Sequence, residues 1–239
     1  MGAVFMTWSI VARGDDGTFG VAVASRAFAV GALCPYARSH VGAVSTQALV
    51  NPHFGPRALH LLASGVSAED TLNTLVQSDR GQSQRQVHLI DRHGKVAAHT
   101  GSDCISSCGH LSGPGYSVAG NMLANERVLA ASAAAFEARN LESMPLRLIN
   151  AMQAGQDEGG DRRGQQAAAL LIYRDEDYPI LDLRVDDHAM PIMELRRLYE
   201  VSLERFQPFL SCLPSHARPD GILDREEIEA EIERFIRAR

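Results

Sequence analysis

Thr7 stands directly behind a second methionine, Met6, at the head of the strand-like run "TWSIVA". A threonine at a free N-terminus can serve as a nucleophile, whereas an internal one usually does not. If Met6 is the true start, Thr7 is the candidate first residue of the mature chain. Three further stretches carry groups able to do chemistry. Ser25 and Arg26 close the apolar run "GVAVASRAF" at 20–28. Thr46, Gln47 and Asn51 form a polar cluster in "GAVSTQALVNPHFGP" at 42–56. The glycine-rich "AGQDEGGDRRGQQ" at 154–166 combines the Asp161 carboxylate, the Arg162 and Arg163 guanidiniums and the Gln165 and Gln166 amides. Polar side chains at strand ends beside glycines are the usual material of small-molecule sites, and solvated turns are the alternative for each stretch.

Other chemistries find less support. No HExxH pair occurs, and Cys104, Cys108 and His110 give C-x3-C-x-H without a fourth ligand nearby, so no metal is expected. "GPGYSVAGN" lacks the GxGxxG spacing, and neither a P-loop nor a GxSxG elbow is present, so no cofactor is expected. The formal net charge of −6 gives no attraction to nucleic acid. No run approaches the ~18 apolar residues of a membrane span. The N-terminal residues lack the pattern of a signal peptide, which with four scattered cysteines points to a cytoplasmic protein with reduced thiols. Lys95 is the sole lysine; the other cations among the 23 are arginines, which hold charge but do not serve as bases.

These residues need a scaffold. "TWSIVA" alternates, with Trp8, Ile10 and Ala12 on one face and Thr7, Ser9 and Val11 on the other; "RGDDG" turns the chain into "TFGVAVAS". "HVGAVSTQALV" reads as a third strand. Pro56 in a first turn and Gly65 after the last bound one helix, and Ser67 with Asp70 caps the next. "RQVHLID" and "KVAAHTG" form a second hairpin, followed by a cysteine- and glycine-containing loop and the short strand "YSVAGN". Two helices ("NERVLAASAAAFEARN" and "SMPLRLINAMQAG"), the strands "AAALLIY" and "ILDLRVDD", and the helix "PIMELRRLYEVSLERF" complete the main body. Paired strands alternating with paired helices predict an α+β fold in which two mainly antiparallel sheets lie between two helical layers, not a doubly wound parallel sheet. After Pro214 a linker leads to an amphipathic helix with Ile228, Ile232, Phe235 and Ile236 on one stripe. That helix docks on its own domain or serves a homo-oligomer. The expected organisation is an N-terminal extension at 1–6, a domain at 7–205, and linker plus helix at 206–239.

The strand, "DDG" turn and return strand ending "VAVASRA" resemble the opening hairpin of N-terminal-nucleophile (Ntn) hydrolases. Four segments in order resemble the family catalogued as domain of unknown function 1028: "TWSIVARGDDGTFGVAVASRAFAVGALCPYA", "VGAVSTQALVNPHFGPRALHLLASG", "GPGYSVAGNML" and "GQDEGGDRRGQQAAALL". The resemblance covers about residues 6–200 and implies the four-layer α-β-β-α sandwich of that superfamily. It implies amide hydrolysis with Thr7 as nucleophile and its own α-amine as base, since an amine with a pKa of ~7.7–8.0 is partly neutral at physiological pH. Starting at Met6, methionine removal exposes Thr7; starting at Met1, the Met6–Thr7 bond must be cleaved. Assigned by position, Thr46 and Gln47 with Asn121 are candidates to bind the oxyanion or substrate. Asn51 holds the loop or the ligand. Asp161 and Arg163 hold the amine of Thr7 or a substrate carboxylate, or simply pair with each other. Ser25, Arg26 and Gln165 complete the substrate-binding set. The chain departs from the proteasome pattern at Ala24, where an aspartate precedes "SR", and has no lysine on the next strand. Ala167 replaces the serine of the family's "RGQQS".

The first functional reading is therefore an amidohydrolase acting on a small molecule, with no metal, cofactor, nucleic-acid or membrane partner. The alternative is a non-hydrolytic binding or assembly protein on the same scaffold. A third reading moves the chemistry to Cys104 or Ser25.

Overall fold

The computed structural model describes residues 7–238; the extension expected at 1–6 lies outside them. β1 (Thr7–Arg13) and β2 (Phe19–Ser25) pair antiparallel from Thr7↔Ser25 to Arg13↔Phe19. Their turn is built by its own residues. Asp16 Oδ1 accepts the amide of Thr18 at 3.0 Å, and Gly17 takes a left-handed φ of 85°. The faces follow the alternation. Val11, Phe19 and Val21 point toward the second sheet, where they meet Ala43 and Ile90. Gly20, Ala22 and Ala24 lie on the opposite face and are small enough to admit a helix. A Cβ added at Gly20 would stand 2.5 Å from Leu148.

Further along come β3 (Pro35–Arg38), β4 (Gly42–Ala48), α1 (Phe54–Ala63), α2 (Ala68–Gln77), β5 (Arg85–Asp91), β6 (Val96–Thr100), β7 (Gly109–Gly113) and β8 (Tyr116–Gly120). The order closes with α3 (Arg127–Ala138), α4 (Met144–Asp157), β9 (Ala167–Tyr173), β10 (Leu181–Val185), α5 (Pro191–Ser202), α6 (Phe206–Leu210) and α7 (Arg225–Ala238). The result is a mixed α+β structure with two antiparallel sheets and, among the described residues, seven α-helices. One sheet has the order β10-β9-β2-β1-β8-β7 and the other β3-β4-β5-β6. The sheets face each other through β1 and β2 against β4, and through β8 against β5. α1 and α2 cover the outer face of the four-stranded sheet, where Phe54, Leu62 and Leu75 pack on Val44, Val87 and Leu89. α3 and α4 cover the outer face of the other sheet. Gly155 of α4 sits so close to Trp8 that a Cβ there would lie 3.1 Å from the indole nitrogen.

The caps match the chemistry of their residues. Ser67 Oγ accepts the Asp70 amide at 3.1 Å at the start of α2. Beyond the end of α1, Gly65 adopts φ 88°, a conformation costly for any residue with a Cβ.

Two strands were not expected from the sequence, β3 and β7. Both are short edge strands. β3 opens on Pro35 and β7 reads "GHLSG", so neither carries the β-branched alternation of a central strand. The long last helix of the main body also divides, α5 ending at Ser202 and α6 following.

The chain forms two compact units, divided between Leu195 and Arg196 inside α5. In the second unit α7 is capped by Asp224, whose Oδ1 accepts the Glu226 and Glu227 amides at 2.9 Å each. Arg205 pairs with Glu229 of α7. Of the expected stripe, Ile232 is buried while Phe235 and Ile236 are exposed. No helix among the described residues is long and apolar enough to cross a membrane.

Candidate active site

One end of the six-stranded sheet gathers the chemistry. The register aligns Thr7 with Ser25 and Ser25 with Ala167, so the start of β1, the end of β2 and the start of β9 form a row. On the other side of β1, Asn121 follows β8 and its amide donates to the carbonyl of Thr7 at 3.0 Å. That carbonyl also accepts from Asn121 Nδ2 and from Gln47 Nε2, each at 3.3 Å, the latter reaching across from the opposite sheet. Thr7 is thus held by its main chain from two sides. Its side chain is fully buried, yet among the described residues Oγ1 has no hydrogen-bond partner. A buried hydroxyl without a partner loses its water and gains nothing in return, at a cost of about 1–3 kcal/mol.

The groups next to Thr7 belong to a larger buried network. Gln47 Oε1 accepts from Ser9 Oγ at 2.6 Å, and Gln47 Nε2 reaches Gln86 Oε1 at 2.8 Å and the Ala119 carbonyl at 3.1 Å. Asn121 Nδ2 shares Gln86 Oε1 at 3.1 Å. Ser9 Oγ also meets His88 Nε2 at 2.8 Å, and His88 Nδ1 meets Ser117 Oγ at 3.1 Å. Burial pushes the His88 imidazole down to about 3, with the nearby charge of His110 adding to the effect and the Ser117 hydrogen bond opposing it. The ring is therefore neutral at any physiological pH. The Ser9–His88 contact has the composition of a nucleophile–base pair. It lies wholly between the sheets, with both ring nitrogens engaged, and braces them.

The amide hydrogens of Asn121 and Gln47 are engaged by Thr7 and the network, so the two residues position Thr7 and offer no free donor for an oxyanion. Thr46 and Gln47 separate. Alternation along β4 turns Gln47 toward the other sheet and Thr46 toward the helical side, where its Oγ1 donates to the Asn51 carbonyl at 3.3 Å. Asn51 in turn donates to Asp79 Oδ2 at 3.0 Å and accepts the His53 amide, so it organises the loop before α1. Burial raises the Asp79 carboxyl, but Arg85, the Gly81 amide and Asn51 together outweigh that and hold it down at about 2.

Asp161 lies at the edge of the row. Its carboxylate is buried and accepts the Arg26 amide at 2.9 Å, the Arg163 amide at 2.9 Å and the Arg163 guanidinium at 2.7 Å. Met122, φ 49°, and the bridge Leu123↔Asp161 carry the chain past it. Asp161 and Arg163 pair with each other, as one of the readings from sequence had it. Their pairing ties the loop at 161–164 to the end of β2. Arg26 and Gln165 open outward into a pocket of about 370 Å³, with Gln166, Asp187, His188 and Ala189 as further lining. Lys95 stands in the β5–β6 turn.

The cysteine alternative loses ground on physical terms. Burial, followed by the neighbouring Cys108, pushes the half-buried Cys104 thiol up to about 11, and burial raises Cys108 as well. Both stay protonated near neutrality and are poor nucleophiles. Sequence reasoning missed Ser9, Gln86, His88 and Ser117. Their signal was present as polar residues on alternate positions of "RQVHLID" and "TWSIVA". A period of two reveals that a strand has a polar face without saying whether that face meets water or another sheet.

A model of a family of unknown function, DUF1028, matches residues 7–195. The crystal structure of a DUF1028 protein from Silicibacter pomeroyi is similar at a TM-score of 0.85 and 29% identity, covering 92% of this chain and 96% of that one. Anbu, an ancestral beta-subunit from Yersinia bercovieri, aligns at a TM-score of 0.38 and 12% identity, over 87% of this chain and 98% of its own. No protein of curated function matches.

Proposed function

The chain belongs to the DUF1028 family of unknown function, and from that premise we propose that it is an Ntn-type amidohydrolase. Thr7 is its nucleophile and a C–N bond of a small molecule its target. The observation that carries this reading is the buried Thr7 Oγ1, unpartnered among the described residues, on a residue whose carbonyl is fixed by Asn121 and Gln47. With residues 1–6 removed, the α-amine of Thr7 is the base. It takes the Oγ1 proton as the oxygen attacks the amide carbon, then delivers a proton to the departing amine. An ester on Thr7 remains, and water activated by the same amine hydrolyses it. Among the described residues the other candidates are engaged or remote, the Asp161 carboxylate being held by Arg26 and Arg163. Gln47 is an amide, His88 is locked between the sheets, and Lys95 lies in a turn. Asp161 and Arg163 keep the strand ends in register beside Thr7.

The intact mass of protein expressed from its native start tests the reading, together with turnover of an amide panel. A mass beginning at Thr7, and turnover lost in Thr7→Ala, support it. A retained 1–6 segment with turnover unchanged in Thr7→Ala overturns it.

A second reading, a binding or assembly protein on this scaffold, is favoured by one observation. The side chain that reaches Thr7 from the opposite sheet is a neutral glutamine, not an amine that could relay protons. Turnover abolished by Thr7→Ala rejects it.

A further inference from the structure

The pocket beside the Thr7 row carries two opposite charges that do not neutralise each other. Arg26 directs Nη1 to the Arg163 carbonyl at 3.1 Å, and among the described residues its side chain makes no ion pair. Asp187 accepts from Gln166 Nε2 at 3.1 Å and likewise has no cationic partner among the described residues. They line one pocket but stand beyond ion-pair distance of each other. Arg163, close by, shows the contrast, since its guanidinium is closed onto Asp161.

The wall carrying Asp187 is braced. The Gln166 carbonyl accepts the His188 amide at 2.8 Å, and His188 Nδ1 accepts the Met190 amide at 3.1 Å, which leaves the ring proton on Nε2. Gln166 therefore holds the segment from both its amide and its main chain. On the other wall, Arg26 lies against Gly164, whose φ of 107° and missing side chain let the guanidinium pass; a Cβ there would stand 3.1 Å from Nη1.

A simple anion in this pocket would be drawn to Arg26 and repelled by Asp187, and a simple cation the reverse. A ligand carrying both charges on neighbouring atoms satisfies both. We propose that the pocket recognises a zwitterion, the paired carboxylate and ammonium of an α-amino acid, with Arg26 on the carboxylate and Asp187 on the ammonium. About 370 Å³ is at the small end of ligand sites and fits a group of that size.

Resting on the hydrolase reading, the same pocket also defines the substrate class. Arg26 follows Ser25, the ladder partner of Thr7, and Gln165 and Gln166 precede Ala167, the next partner in the row. Neighbouring strands are about 4.8 Å apart, so the row from Thr7 to Ala167 spans roughly 10 Å. Covalent bonds are about 1.5 Å long, so only a long, extended side chain reaches that far. The substrate is then an amide carried by a free amino acid, its charged end in the pocket and its carbonyl at Thr7.

The probe is L-norvaline, compared with pentanoate, which lacks the ammonium, and butylamine, which lacks the carboxylate. None has an amide, so the full-length wild-type chain can be titrated without turnover, by calorimetry or ligand-observed NMR. L-norvaline is expected to bind at least about ten-fold tighter than either. Arg26→Gln should erase its advantage over butylamine, and Asp187→Asn its advantage over pentanoate. Both variants change exposed side chains, and circular dichroism melting checks that they fold. Equal binding of the three probes, or binding of none, overturns the inference. L-norvaline binding by a protein with no amide turnover leaves the pocket standing and rejects Thr7 as nucleophile. Turnover that depends on Thr7 but ignores substrate charge does the opposite.

Discussion

Thr7 and Ser9 sit two residues apart on one face of one strand, both buried, and they have opposite fates. Ser9 Oγ is bound by Gln47 and His88, and the chain of contacts continues to Ser117. Thr7 Oγ1 has no partner among the described residues. Among the described residues, the same fold that satisfies the polar atoms around Gln47 leaves the Thr7 hydroxyl idle at the end of the row, as it leaves those of Thr71 and Ser132 on the helices. A satisfied buried hydroxyl is a brace, because any reaction would have to break its bonds first. An idle one carries a cost that folding alone does not justify, and such positions are where function is sought.

Substitutions can break this contrast. The largest effect is expected at Thr7. Thr7→Ala should cut amide turnover by at least ~10³-fold. Removing an unsatisfied hydroxyl should leave stability unchanged or raise it by up to about 1 kcal/mol, read by urea denaturation. Next comes Gln47→Leu, which takes one hydrogen-bond partner from each of Gln86, Ser9 and the Thr7 carbonyl and leaves an apolar group inside the network. It should destabilise by about 3 kcal/mol in the same assay.

His88 sharpens the comparison through pH. Its folded pKa of about 3 lies below the ordinary value near ~6.5, so below that value the unfolded chain binds a proton that the folded one does not. Stability is complete above pH 6.5 and falls as pH drops toward 3, by up to about 1.4 kcal/mol per unit. The denaturant midpoint of the wild type should show this slope, and His88→Gln should flatten it. The smallest effect belongs to Asn51→Ala, which removes the hydrogen bond to Asp79 and the exposed one from the His53 amide. About 1 kcal/mol of stability should go, with turnover unchanged, because Asn51 serves a loop on the helical side.

The strands, the helix pairs and even the faces of β1 were legible because alternation, Gly65 and the Ser67 cap are local signals. The edge strands β3 and β7 were not, since edges are kept short and rich in proline, glycine and serine so that they do not attract other strands. For the site, Thr7, Asn121, Gln47 and Asp161 are nominated through the resemblance, and of their partners only Arg163 was legible, as the pair of Asp161. Thr46 and Asn51 looked like neighbours of Gln47 because they are close in the chain, and the pleat of β4 sends Thr46 the other way. His88 was invisible for a related reason. A histidine on an alternating strand reads as a solvent residue, and only the second sheet makes it an interior one. The charges of Arg26 and Asp187, without an ion pair among the described residues, also needed folding to bring 26 and 187 to one pocket.

The order of strands in the larger sheet has a consequence for synthesis. β1 is made first, yet it lies in the middle of the sheet, and its second neighbour β8 begins only at Tyr116. The loop of Asp161 and the strand β9 that flanks β2 come later still. Until then the emerging hairpin of β1 and β2 has one bare edge on each side and two apolar faces. Pairings this distant in sequence form slowly, and unpaired edges invite other chains. The residue nominated for chemistry therefore leaves the ribosome before the elements that surround it, so a chain stalled between them would carry Thr7 without a site around it.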